Sequence, residues 1–335
     1  MRKKNEVQDP APESQAGQWR GWLKPTLVVL LTVSWAAAMF WGEAAQAVEE
    51  IAPGETPWWI WPFVLFLLTS FLGVLAVLAG IGGSVLFVPI VSGFLPFLHI
   101  DFIRGAGLMV ALSGALSAGP NLIRDGLANL RLAIPISLIA SFASIFGALI
   151  GLALPTDVVQ IALGVVIIGM SGLMVLSKAS PGGSQGAADP IATMLGIQGT
   201  YYDPDTGEAT RWAPRNMIVA LVMFAGVGMM AGMFGLGAGW ANVPVLNLVM
   251  GVPLKVAVAT SYFLLAITDT SAAWIYMSKG ALLPLIAIPS VLGIMLGARI
   301  GARILKHIRP AMIRRIVIAV LLFAGMRALM RGFGI

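Results

Sequence analysis

The apolar residues of this chain fall in long blocks separated by short polar breaks, not in the alternation of strands or the narrow stripe of soluble amphipathic helices. Blocks run over 25–42, 58–80, 84–98, 103–122, 131–154 and 157–177. After a polar stretch at 178–214 they resume at 215–235, 239–251, 254–277, 281–304 and 311–331. Runs near 20 residues with almost no charge predict membrane-spanning helices, because backbone groups in lipid must find their hydrogen bonds within the protein. The pattern predicts an all-α integral membrane protein. Two blocks are too short for an ordinary span: 84–98 rises ~22 Å as a helix against a hydrocarbon core of ~30 Å.

The polar segments divide the chain further. Residues 1–24 form a basic, polar tail. Residues 25–47 read as an N-terminal transmembrane helix that is retained; the A-x-A at Ala45-Gln46-Ala47 leaves a cleaved signal as the alternative. Trp58, Trp59 and Trp61 suit the membrane interface at the start of the next span. Residues 58–177 and 215–332 are two transmembrane repeats, joined by a connector at 178–214. The connector holds Asp203-Pro204-Asp205-Thr206-Gly207, strong turn chemistry between strand-favouring residues, and so predicts a small hairpin in a solvated link.

Glycines mark the repeat. Gly80, Gly82, Val88 and Pro89 recur as Gly235, Gly237, Val243 and Pro244; Gly126 and Pro135 recur as Gly280 and Pro289; Gly147 and Gly151 recur as Gly297 and Gly301. Five spans is an odd number, so a second repeat must enter the bilayer opposite to the first. Charge agrees. With the N-terminal tail in the cytoplasm, only Arg104, Lys279, Arg327 and Arg331 of the 21 Lys and Arg residues lie outside. Treating 84–98 and 239–251 as re-entrant doubles that number. The expected fold is therefore two inverted repeats of about five spans with glycine-broken helices, plus an N-terminal span, in a cell inner membrane.

Composition narrows the chemistry. Hydrophobic residues make up 58% of the chain and charged ones 11%, and the net charge of +6 falls in the loops expected to be cytoplasmic, so nucleic acid is not an expected partner. There is no cysteine, and His99 and His307 are the only histidines, so neither thiol chemistry nor a metal site is expected. No cofactor is expected.

The breaks carry the candidate site. A helix that begins deep in the bilayer exposes unpaired N–H groups and the positive end of its dipole, which suit an anion, while glycine admits a close ligand. Two such ends in inverted repeats would meet near the midplane, as in many secondary transporters. Close helix packing is the competing use of such glycines. The candidate residues are Gly80, Gly82, Gly83 and Ser84 in the first break and Gly235, Gly237 and Gly239 in the second. Ser84 suits a helix cap or a ligand donor. Asn242, Asn247, Thr260 and Ser261 offer neutral donors for an anion or, equally, interhelical hydrogen bonds. Asp269 is the one carboxylate well inside a span, and reads either as a proton-coupling group or as a structural hydrogen-bonder.

The stretches "GIGGSVLFVP", "GLGAGWANVP", "KVAVATSYFLLAI" and "GARIGARI" resemble the TauE/SafE sulfite-exporter family, also called the toluene-sulfonate uptake permeases, over residues 58–332. That resemblance implies a transporter of small sulfur-containing anions such as sulfite or organosulfonates. Ala238 stands where the first repeat has Gly83, and Trp240 follows, so the two half-sites are expected to be unequal. The rival readings are a non-transporting membrane scaffold and an intramembrane enzyme. The second lacks a membrane histidine beside a serine motif and a second membrane aspartate.

Overall fold

The computed structural model describes residues 59–79, 83–95, 98–124, 127–176, 189–194, 196–202, 209–304 and 310–334. The tail, the segment 25–47, Gly80, Gly82, the hairpin turn and His307 lie outside the described residues.

The apolar blocks form helices. In the first half these are α1 (Ile60–Ala79), α2 (Gly83–Phe94), α3 (Ile100–Arg124), α4 (Leu130–Ala153) and α5 (Thr156–Leu176). The second half has α7 (Met217–Phe234), α8 (Gly239–Pro244), α9 (Leu254–Ser278), α10 (Pro284–Ile304) and α11 (Pro310–Gly332). Between them lie a one-turn helix α6 (Pro190–Met194) and strands β1 (Gly199–Tyr202) and β2 (Ala209–Trp212). Five helices, α3, α4, α7, α9 and α10, are long and apolar enough to cross a membrane on their own composition. Large apolar side chains stand out from the helices, Phe142 at 65% and Val222 at 68% exposure among them. In water such faces would aggregate; in a bilayer they meet lipid. This is a multi-pass α-helical membrane protein.

Lipid supplies no hydrophobic drive between helices, so close packing holds them together. Helices α1 and α10 touch backbone to backbone, Gly293 lying on Phe66 and Thr69, and Gly297 on Ser70 and Gly73. Contacts advance in step along both chains, so the two run parallel. Helices α4 and α7 do the same: Gly228 lies on Ala140, Gly232 on Ser144 and Gly151 on Met233. Two other pairs are antiparallel. Gly164 of α5 meets Gly325 and Leu329 of α11, while Gly332 meets Ile161. At the start of α3, Gly105 meets Tyr276 near the end of α9. The repeated glycines Gly147, Gly151 and Gly297 are thus packing devices, seated where a Cβ would overlap a neighbouring backbone.

The connector is more than a solvated link. Its strands pair antiparallel, Gly199 opposite Trp212 and Tyr202 opposite Ala209. Ala192, Ile197 and Trp212 are buried in one apolar cluster with Leu132 of α4 and Met217 of α7. Asp189 fixes the join: its two carboxylate oxygens accept from the amides of Ile191 and Met217, each at 3.0 Å, so one side chain ties α6 to α7.

Candidate functional site

The second break is described in full. Helix α7 ends at Gly235, whose φ of +68° is left-handed and whose N–H bonds Ala231 O at 3.0 Å. Gly237 has φ +66°. These two angles turn the chain sharply, at little cost only for glycine. Ala238 then starts α8 and brings no side-chain acceptor to the new helix. Pro244 lies inside α8 and cannot donate to Trp240 O; the next turn, Val245–Val249, is π-wound.

The start of α2 meets this break. Ser84, buried in the first turn, donates its hydroxyl to Leu236 O. A Cβ placed on Gly237 would lie 3.0 Å from Ser84 Oγ, 3.0 Å from Asp269 Oδ2 and 2.8 Å from Ala111 Cβ. Three elements therefore converge on Gly237: α2 with a hydroxyl, α9 with a carboxyl and α3 with a methyl. Asp269 is fully buried. Neither of its oxygens has a hydrogen-bond partner, the Ala238 amide facing it without reaching bonding geometry. No basic side chain among the described residues pairs with it. Trp240 packs beside Ala115, Ala241 and Leu265 with its indole N–H unpartnered.

The candidate residues separate by this geometry. Gly237, Ser84 and Asp269 come together. Gly83 opens α2, but a side chain there would run into Ile294, and one at Gly235 would overlap the backbone of Arg104; both have packing reasons to be glycine. Gly239 opens α8. Ser84 sits within its helix and bonds across to the other break instead of capping. Thr260 Oγ1 accepts from the amide of Asn129, which itself caps α4 through Leu132 N. Asn247 donates to Val252 O at 2.9 Å, holding the loop before α9. These two serve as interhelical and loop ties. Asn242 and Ser261 are buried on α8 and α9.

Arg104 corrects the charge map. Counted as a surface charge by the pattern of loops, it is 1% exposed near the start of α3. Its Nη1 donates to Met233 O at 2.7 Å and Gly151 O at 3.1 Å, and Nη2 donates to Gly151 O at 3.1 Å and pairs with the Asp101 carboxylate. The guanidinium lies 5.7 Å from the ring centroid of Tyr276, whose hydroxyl donates to Gly232 O at 3.0 Å and Met233 O at 3.3 Å. Arginine beside the last carbonyls of two helices satisfies acceptors those helices leave open. Because α7 leads straight into Gly235, this cluster fixes where the second break begins. The Asp101–Arg104 spacing of three residues was the only signal of it in the sequence.

Lipid-facing helices packed around a buried carboxyl define a polytopic membrane protein with a polar centre. Residues 65–328 match the sulfite exporter TauE/SafE family, and the chain belongs to that family of membrane transporters. It is also similar to the "Probable membrane transporter protein YunE" of Bacillus subtilis (strain 168), at 25% identity over 276 residues, covering 80% of this chain and 97% of that protein. No solved structure matches it.

Proposed function

We propose that the protein carries small sulfur-containing anions, of the sulfite or organosulfonate class, through the meeting point of its two breaks, and that Asp269 couples this movement to a proton. One observation carries the reading: Ser84, at the start of the first broken helix, bonds Leu236 within the second break, beside Gly237 and Asp269. Amides at the start of α8 supply partial positive charge for an oxyanion.

Helix pairing supports two inverted repeats, 58–177 and 215–332. Exchanging the repeats turns the α1–α10 pair into α7–α4, and both pairs run parallel. Helices α3 and α5 pack antiparallel against their own counterparts α9 and α11, as a two-fold axis in the membrane plane requires. With the tail in the cytoplasm of a cell inner membrane, the connector lies on the cytoplasmic side.

Charge explains the coupling. Two like charges ~4 Å apart repel by about 4 kcal/mol at an effective dielectric near 20. That would weaken anion binding by roughly a thousandfold beside an ionised Asp269. Neutralising the carboxyl with a proton removes the penalty, so proton and anion bind together. Purified protein in liposomes should move labelled sulfite or a sulfonate, tested beside thiosulfate and sulfate. The Asp269→Asn variant should retain anion exchange and lose uptake driven by a pH gradient. If no anion moves, the scaffold reading replaces this one.

A further inference from the structure

The oxygens around Gly237 do more than receive a proton. We propose that Ser84 Oγ, the Leu236 carbonyl and the Asp269 carboxylate form a site for one sodium ion, which shares Asp269 with the coupling proton; this rests on the reading of Asp269 as the coupling group. A proton needs a single acceptor. Here three oxygens from three separate elements converge: a hydroxyl from α2, a carbonyl from the unwound break and a carboxylate from α9. Asp269 is fully buried with both oxygens unpartnered, and its Oδ2 and Ser84 Oγ stand at equal 3.0 Å distances from the point a Gly237 Cβ would occupy.

The ligand set selects the ion. One carboxylate with two neutral oxygens matches a single positive charge, whereas calcium or magnesium would draw on more carboxylates or ordered water. Among the described residues no group of three or more His, Cys, Asp or Glu gathers to hold a metal, and the oxygen-only set disfavours soft metals. The surroundings are close-packed, an added Gly237 Cβ lying only 2.8 Å from Ala111 Cβ, so the smaller sodium is proposed ahead of potassium. An oxyanion oxygen then completes the coordination of the sodium, so that the two ions are held side by side. Each ion raises the affinity for the other because each removes charge the other would have to oppose.

The purified protein in choline chloride, titrated with sodium chloride or potassium chloride at constant ionic strength and without anion substrate, tests the site directly. Sodium should raise the unfolding temperature saturably and potassium should not; acidification should weaken the sodium effect by competition. Asp269→Asn should abolish the shift, and Ser84→Ala should raise the half-saturating sodium concentration about tenfold. In liposomes at equal pH, an inward sodium gradient should drive anion uptake. A protein blind to sodium in both assays, yet moving anions, overturns the sodium site and leaves the transport reading intact. A Ser84→Ala variant with unchanged sodium response also overturns the proposed ligand set. Sodium stabilisation without movement of any anion upholds the cation site and removes the transport reading instead.

Discussion

Replacing Arg104 with methionine keeps much of the side chain's volume and removes its charge and all of its donors. The cost follows from what each partner loses. Gly151 O loses both N–H contacts and, in a buried residue, is left without them. Met233 O retains the Tyr276 hydroxyl at 3.3 Å, and the Asp101 side chain, 23% exposed, regains water. An unsatisfied buried acceptor costs about 1–3 kcal/mol, and breaking a buried charged network about 3–5 kcal/mol. We expect Arg104→Met to destabilise the protein by about 3–5 kcal/mol. Tyr276→Phe should cost less, about 1–3 kcal/mol, because Gly232 O loses the hydroxyl while Arg104 still serves Met233 O. Asp101→Asn should fall between zero and Arg104→Met. Unfolding of the detergent-solubilised protein by denaturant, followed by far-UV circular dichroism, gives the order. An Arg104→Met cost below ~1 kcal/mol, or an Asp101→Asn cost equal to it, would show that the helix-end carbonyls are not what Arg104 holds.

Gly237 and Gly280 have nearly the same left-handed φ, +66° and +68°, but an added Cβ meets Ser84 and Asp269 at Gly237 and nothing within 4 Å at Gly280. Alanine should therefore strain both backbones by about 1 kcal/mol, yet flux should be lost only in Gly237→Ala, and equal activity of the two variants would assign Gly237 to backbone geometry alone. Single cysteines replacing Gly126 and Ser184 should label from the cytoplasm and one replacing Lys279 from outside; labelling of all three from one side contradicts inverted repeats. With one coupling cation per anion, a monovalent sulfonate should move electroneutrally, so a valinomycin-imposed potential should leave its flux unchanged; flux that follows voltage would require a different stoichiometry.

Most helices were legible because an apolar run long enough to span lipid has few other uses. The runs 131–154 and 254–277 became Leu130–Ala153 and Leu254–Ser278. The hairpin was legible from turn chemistry, but its docking was not, since burial of Trp212 depends on Leu132 and Met217 in other elements. Arg104 escaped for a similar reason. Loop charges and helix-end charges look alike in sequence, and its acceptors lie 47 and 129 residues away. The glycine pattern did not separate the uses of its members: Gly83 faces Ile294 and Gly235 faces Arg104, whereas Gly237 faces Ser84 and Asp269. That distinction is a tertiary fact. Thr260 likewise reads as a ligand donor until Asn129 is placed against it.

In the proposed cycle the anion's positive partner is backbone and not arginine. A fixed guanidinium would bind an anion in every conformation and oppose its release, whereas helix-end amides offer about half a charge at a weakly held position. Occupancy then rests on Asp269, the only carboxylate among the described residues deep within a helix; Asp101, Asp157 and Asp189 stand at helix starts. On the proposed reading, the anion is tolerated when a cation sits on Asp269. When the cation leaves, a repulsion of about 4 kcal/mol appears beside it. On that proposal a single carboxyl would admit the anion on one side of the membrane and expel it on the other, with the cation gained and lost across the same gradient. An arginine brought near Asp269 should break this cycle by trapping the anion, raising affinity while slowing turnover.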